Sequence, residues 1–310
     1  MTAGAWLGAG FGLRLPHLRE LGERRRAGLP LPPVLELTPS HFFGRPELLD
    51  ELAREHAIVL HDVFASLATA GPLDRTHLER VAELARRCGA LDYSEHLAMT
   101  RSPGGIDLGH LVAVPHTRAQ LAVLVDHLCA ARELVGLTIA VELPATTLEL
   151  PGAELSEGEF VSELVEQSGC GLHLDLENLR VDAHNGLPAG PNGDADALAP
   201  EPGSLLARLD EALAQAGLPS PRGRAIARRL AELPLAAVTR IHLAGGHLDP
   251  TGWAVDSHRA PVPDETWALL AGLRGFVRPR AIILERDDRL PPLAELVEQA
   301  ERAAELWRAG

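Results

Sequence analysis

Short apolar runs bounded by turn-forming residues alternate along the chain with longer stretches whose apolar positions recur every three or four residues. The first pattern marks a strand buried on both faces and the second a helix packed by one side. Their alternation predicts βα units around a parallel sheet. Strands are predicted at Ala5–Gly8, Val34–Leu37, Ile58–Leu60, Ala90–Tyr93, Thr138–Val141, Gly171–Leu174, Thr239–Leu243 and Ala281–Leu284. About eight parallel strands close into a TIM-type (β/α)8 barrel, which is the expected α/β fold. Helices are predicted at Pro46–His56, Leu73–Cys88, Thr117–Leu134, Ser156–Ser168, Leu205–Ala216, Arg222–Glu232, Pro263–Leu273 and Pro291–Arg308. Thr117, Ser156 (with Glu159 three residues on) and Ser204 stand where N-caps belong. The segment 187–203 is rich in Pro, Gly, Ala and Asp and follows neither apolar period, so it is expected to be a flexible loop. It follows the sixth strand, on the rim where barrel enzymes carry their active sites; a lid and a tolerated surface insertion are both open there.

Composition narrows the function classes. With 310 residues, 46% of them hydrophobic and 23% charged, the chain can bury one large core, and 1–310 reads as a single barrel domain. A net charge of −14 argues against a phosphate-binding surface, so no nucleic-acid partner is expected. Arg24, Arg25 and Arg26 read as a solvated helix end. Cys88, Cys129 and Cys170 are far apart, which suits a reducing, cytoplasmic setting better than a disulfide framework or a zinc knuckle. Neither a secretory signal nor an apolar run of about 18 residues is read from the chain, so no membrane partner is expected. Gly8-x-Gly10-x-Gly12 lacks the context of a dinucleotide loop and reads as close backbone packing at the first strand.

Nearly every predicted strand ends in, or just before, an acid or a histidine: Glu36, His61, Glu95 with His96, Glu142, Asp175, His242 and Glu285. A closed barrel gathers all its strand ends around one axis, so these residues become neighbours. Several carboxylates buried together repel one another and raise their own pKa values unless cations are present. Mixed imidazole and carboxylate donors suit Fe, Mn, Zn or Co better than Mg or Ca. Asp256-x-His258, expected in an extended segment that turns both side chains the same way, adds two more donors on the rim that carries His242. His17, His41, His56, His77, His110, His116 and His127 fall at helix ends, helix faces or loops and are set aside as ligands. Cys170 reads as a small core residue.

In order and spacing these motifs resemble the multinuclear non-haem iron-dependent oxidases, the family whose type members make methanobactin and other modified peptides. The matching stretches run from Gly10-Phe11-Gly12-Leu13-Arg14 with His17, through His61 with Ser66-Leu67, Ser94-Glu95-His96-Leu97, Val141-Glu142 and Gly171 to Asn185-Gly186. They continue at Ile241-His242-Leu243-Ala244-Gly245, Asp256-x-His258 with Pro261-Val262, and Leu284-Glu285-Arg286-Asp287. The resemblance implies a barrel with two or three iron ions in mixed Fe(II)/Fe(III) states, and O2 as co-substrate. It implies a ribosomally synthesised precursor peptide as substrate, modified at Cys, or at Asp or Asn; since no spare region of the chain reads as a leader-binding module, a separate leader-recognition partner protein is expected. Carried over, the metal ligands are His61, His96, Glu142, Asp175, His242, Asp256, His258 and Glu285, with Asn178 beside them. Three features depart from the family pattern. Leu143-Pro144 follow Glu142 where Asn is usual, Glu95 replaces a common Asp, and Asp62, Phe64 and Ala68 replace glycines, which should narrow the pocket beside that loop. Two other readings use the same residues: a divalent-metal sugar-isomerase or endonuclease-like barrel, and a non-catalytic peptide-binding barrel.

Overall fold

A computed structural model describes residues 5–146, 150–186, 201, 203–217 and 221–308. Twelve strands occur among them: β1 Gly8–Gly12, β2 Val34–Leu37, β3 Ala57–Asp62, β4 Tyr93–His96, β5 Met99–Arg101, β6 Asp107–Val112, β7 Ile139–Glu142, β8 Gly171–Asp175, β9 Val238–Leu243, β10 His247–Leu248, β11 Ala254–Val255 and β12 Ala281–Leu284. Eight of these close in the order β1-β12-β9-β8-β7-β4-β3-β2, every pair parallel. The remaining four form two hairpins, β5–β6 and β10–β11, on the loops that follow β4 and β9. The expected barrel is therefore the observed one. The loop expected at 187–203 falls, but for Glu201 and Gly203, outside the described residues. Among the described residues no helix is long and apolar enough to cross a membrane.

Alternation along each strand sorts the side chains into two compartments. Leu35, Leu37, Ile58, Leu60, Leu172, Leu174, Ile241, Leu243, Ile282 and Leu284 belong to the main core, shared with the helices. Each such leucine or isoleucine contributes roughly 1.5–3 kcal/mol by leaving water. Val34, Val59, Ala281 and Ile283 form a separate small cluster on the opposite face of their strands. They share strand parity with Glu36, His61 and Glu285, so this apolar floor and the charged residues lie in one column inside the barrel.

The predicted capping residues do their expected work. Thr117, Ser156 and Ser204 each accept a backbone N–H in the first turn of their helices, and Ser156 with Glu159 completes a capping box. β1 is displaced from its expected place, and the reason is steric. A Cβ on Gly10 would lie 1.9 Å from the Val34 carbonyl oxygen, so β1 and β2 come this close only because the first strand is glycine-rich.

Candidate metal centre

Register brings the polar residues of neighbouring strands together. His96 pairs with Glu142, Glu142 with His173, and Asp175 with His242, so consecutive strands place donors side by side. His61, Glu142, His173, Asp175, His242, His258 and Glu285 are all buried. Their atoms converge. His61 Nε2 lies 3.5 Å from Glu142 Oε2, and His96 Nε2 lies 3.8 Å from Glu142 Oε1. His242 Nδ1 is 2.8 Å from Glu285 Oε2 and 3.7 Å from both Glu142 Oε2 and Asp175 Oδ2. His258 Nε2 lies 3.7 Å from Asp175 Oδ2 and 2.5 Å from Asp256 Oδ1.

These approaches are close without being satisfied. Glu142 Oε2, Asp175 Oδ2, His242 Nδ1, Asp256 Oδ1 and both His258 ring nitrogens are buried atoms with no aligned hydrogen-bond partner. Buried polar atoms are ordinarily paired, so a group of orphans aimed at one volume is what a cation would complete. Four sets of three donors lie within 4.8 Å of one another: Glu36, His61 and His173; His61, Glu142 and His242; Glu36, His242 and Glu285; Asp175, His258 and Glu285. The donor chemistry, nitrogen mixed with carboxylate oxygen, fits a transition metal.

The electrostatics express the same need. Burial lifts the Glu142 carboxyl to about 7 and the Asp175 carboxyl well above its ordinary value. Burial opposes charge on His96, His242 and His258, yet the surrounding carboxylates overcome it. His96, facing Glu142 and Glu95, is raised to about 9, and His242 and His258 are raised well above 6.5. Burial, opposed by the Glu36 carboxylate and aided by His96 and His242, holds His61 well below 6.5; burial with His242 and Arg240 does the same for His173. Without a cation, protons neutralise the cluster.

A second set of bonds lies beneath. Arg240, fully buried, donates through Nη1 to Glu36 Oε2 (2.6 Å) and Ser94 Oγ (2.9 Å), and through Nη2 to Asp92. Ser94 Oγ also lies 2.9 Å from His61 Nδ1 and 3.1 Å from His173 Nδ1. A hydroxyl has two lone pairs and one proton, and Arg240 can only donate. One lone pair is left, so His61 and His173 cannot both donate to Ser94, whose own proton also has the Leu60 carbonyl (3.3 Å) within reach.

The other residues named from sequence find distinct places. Asn178 donates to Glu142 Oε1 (3.3 Å) and to the Leu143 carbonyl (3.1 Å), and so braces Glu142 from the helix that follows β8. Asp256 and His258 do meet, but not through an extended segment: His258 has φ 48°, a left-handed conformation unusual for a residue with a Cβ. Only part of the loop after β3 narrows the pocket. Phe64 lines it, whereas Asp62 turns away to accept from Tyr93 Oη (3.0 Å) and pair with His77 Nε2 (2.6 Å), and Ala68 is buried elsewhere. His17, His56 and His127 pair with backbone carbonyls, and His116 stacks on Phe160. His173 and Arg240 are the side chains that sequence reasoning leaves out, whereas Glu36 is among its strand-end residues but outside the carried-over ligands. Period two carries the signal, since His173 and Arg240 stand two residues before Asp175 and His242.

Above the donors opens a cavity of about 660 Å³. Phe64, His110 and Leu111 line one part of it, and Trp253, Val255 and Asp256 of the β10–β11 hairpin and its exit line another. Arg14 and His41 also line it; Arg14 ion-pairs with Glu285 (2.9 Å) and with Asp287. Asn185 braces the hairpin by exchanging two hydrogen bonds with the Ala254 backbone (2.9 and 3.0 Å).

Comparison with known proteins agrees with this architecture. A family model described as "RiPP precursor modification enzyme MbnB/TglH/ChrH" matches residues 8–191 and 222–308. A UPF0276 protein of Chromobacterium violaceum is 32% identical over 298 residues, covering 95% of this chain and 92% of that protein. One of Caulobacter vibrioides is 29% identical over 314 residues, covering 100% and 98%. Among solved structures, a xylose isomerase domain protein from Planctomyces limnophilus is similar with a TM-score of 0.51 at 13% identity, covering 99% of this chain and 100% of that one. A 3-keto-D-glucoside 4-epimerase from E. coli is similar at 0.50 and 12%, covering 96% and 99%. At such identity these two share the barrel fold alone.

Proposed function

The chain belongs to the MbnB/TglH/ChrH family of RiPP precursor modification enzymes, and from that premise we propose that it is a cytoplasmic, iron-dependent oxidase that uses O2 to modify a ribosomally synthesised precursor peptide. Cysteine is the favoured target, with Asp or Asn as the other candidates. The observation that carries this reading is the group of orphaned imidazole and carboxylate atoms at the floor of an open cavity.

The two of the four donor sets that leave Glu36 aside share no residue. His61, Glu142 and His242, with His96 beside Glu142, would hold one ion; Asp175, His258 and Glu285, with Asp256 beside His258, would hold a second. We therefore favour two irons over three. Bound there, iron supplies one-electron chemistry with O2 and an open Lewis-acid position for a substrate side chain, best filled by a soft thiolate. The protein orients and shields. Arg14 holds the Glu285 and Asp287 carboxylates, Asn178 holds Glu142, and Phe64 and Trp253 offer aromatic surface to a peptide entering the cavity. Recognition of the rest of the precursor falls to a separate partner protein.

The test combines metal analysis with mass spectrometry of a precursor peptide encoded beside this protein and co-expressed with it. The peptide should stay unchanged with ferrous protein under anaerobic conditions, and change mass when oxygen is admitted, in a way abolished by replacing one residue. Modification that persists without oxygen, or a zinc-only protein that iron cannot activate, would reject the oxidase.

A further inference from the structure

We propose that Glu36 and Arg240 are a positioning pair beneath the metal centre: Glu36 holds the proton of His242 on Nε2, so that Nδ1 is the nitrogen offered to metal, and Glu36 is not itself a ligand. The inference rests on the metal-centre reading above.

Proximity alone would make Glu36 a ligand, since it belongs to two of the four donor sets. Its bonds argue otherwise. Oε2 accepts from Arg240 Nη1 at 2.6 Å, and Oε1 lies 2.8 Å from His242 Nε2. Both oxygens are thus engaged in short, charge-assisted contacts, and Glu36 has no orphaned atom. Arg240 cannot lose its proton, so it keeps Glu36 anionic, and an anionic carboxylate facing Nε2 requires a hydrogen there. The opposite edge of the same ring has the complementary environment. His242 Nδ1 is buried, has no aligned hydrogen-bond partner, and faces oxygens of Glu285, Glu142 and Asp175 at 2.8, 3.7 and 3.7 Å. Metal-binding imidazoles commonly donate their second N–H to a carboxylate, which fixes the ring and raises its basicity. Arg240 extends the support through its bonds to Ser94, the hydroxyl between His61 and His173, and to Asp92, which pairs with Arg280 (3.1 Å). One guanidinium therefore underlies three imidazoles.

Two measurements test the pair. Iron(II) titration against a competing chelator should show Glu36→Gln taking up as many ions per chain as the wild type, with affinity lower by about 10- to 100-fold. Loss of one ion per chain in Glu36→Gln would identify Glu36 as a ligand and overturn the proposal, and so would unchanged affinity. The second measurement needs no variant. With zinc(II) as a diamagnetic stand-in, 15N spectra of the wild type should show His242 bound through Nδ1 and protonated at Nε2. Binding through Nε2 overturns the positioning role and leaves the metal centre standing, whereas a wild type that takes up no metal at all overturns both.

Discussion

Two layers of the same barrel are equally buried and opposite in how they are satisfied. In the lower layer Arg240, Glu36 and Asp92 are 1%, 2% and 6% exposed, and none of them has an orphaned side-chain atom. In the upper layer Glu142, Asp175 and His242 are 1%, 3% and 0% exposed, and each has one. Burial therefore does not mark the functional layer; the mismatch of charge does. Below, cationic arginines face carboxylates. Above, Glu142, Asp175, Asp256, Glu285 and Asp287 gather around imidazoles, with Arg14 their arginine partner through Glu285 and Asp287. The lower layer is paired within the fold it belongs to, and the upper one leaves buried polar atoms unpaired until a cation arrives.

The largest effects should follow from removing an upper-layer donor. His242→Ala or Glu142→Ala should lose metal and reduce activity by at least ~100-fold while the far-UV circular dichroism stays that of a folded barrel. Collapse of the helical signal in both variants would make the upper layer structural too and erase the contrast. Next in size is the lower layer. Arg240→Met leaves Glu36 and Asp92 buried without their cation and should cost about 3–5 kcal/mol in urea denaturation. Glu142→Gln removes a charge that repels the neighbouring carboxylates but attracts protonated His96, and in chelated protein should change stability by no more than ~1 kcal/mol. If the two substitutions destabilise equally without metal, the two layers do not differ in charge balance.

The contrast also explains what was legible from sequence. Val34–Leu37 and Ala281–Leu284 are found at their predicted bounds because a continuous apolar run between turn residues has few other readings. The apolar pattern predicts β4 at Ala90–Tyr93, whereas the strand occupies Tyr93–His96. Its Ser-Glu-His portion resembles a loop unless the barrel interior is known to be polar there. The helix Leu176–His184 begins directly at the end of β8, with Asp175 as its cap, so no loop announces it. The two hairpins are similarly hidden, being short and in part exposed. For the site, strand-end position identified the donors of the upper layer. It could not separate Glu36 from them, because what distinguishes Glu36 is its pairing with an arginine on a strand 204 residues further along the chain.

The smallest effect is in pH dependence, and it separates the layers most finely. His96 has a folded-state pKa of about 9 against an ordinary value of 6.5, because Glu142 and Glu95 overcome the burial that opposes its charge. The folded protein then binds that proton more tightly than the unfolded chain does. The stabilisation is complete below pH 6.5 and is lost as pH rises through 9. His242 and His258 shift in the same direction. His61 and His173 shift oppositely, but their contribution is present above 6.5 and lost only as pH falls, so it is constant at higher pH. Chelated wild type should therefore lose on the order of 1 kcal/mol between pH 7 and 9, and His96→Gln should show a shallower loss. Metal must displace these same protons. Loading at pH 7 should release protons, seen as a buffer-dependent heat in titration calorimetry, and affinity should rise from pH 7 to 9. Were the chelated protein instead to gain stability over that range and take up metal without releasing protons, the upper layer would already be neutral. The charge mismatch that sets it apart from the layer of Arg240 would then be absent.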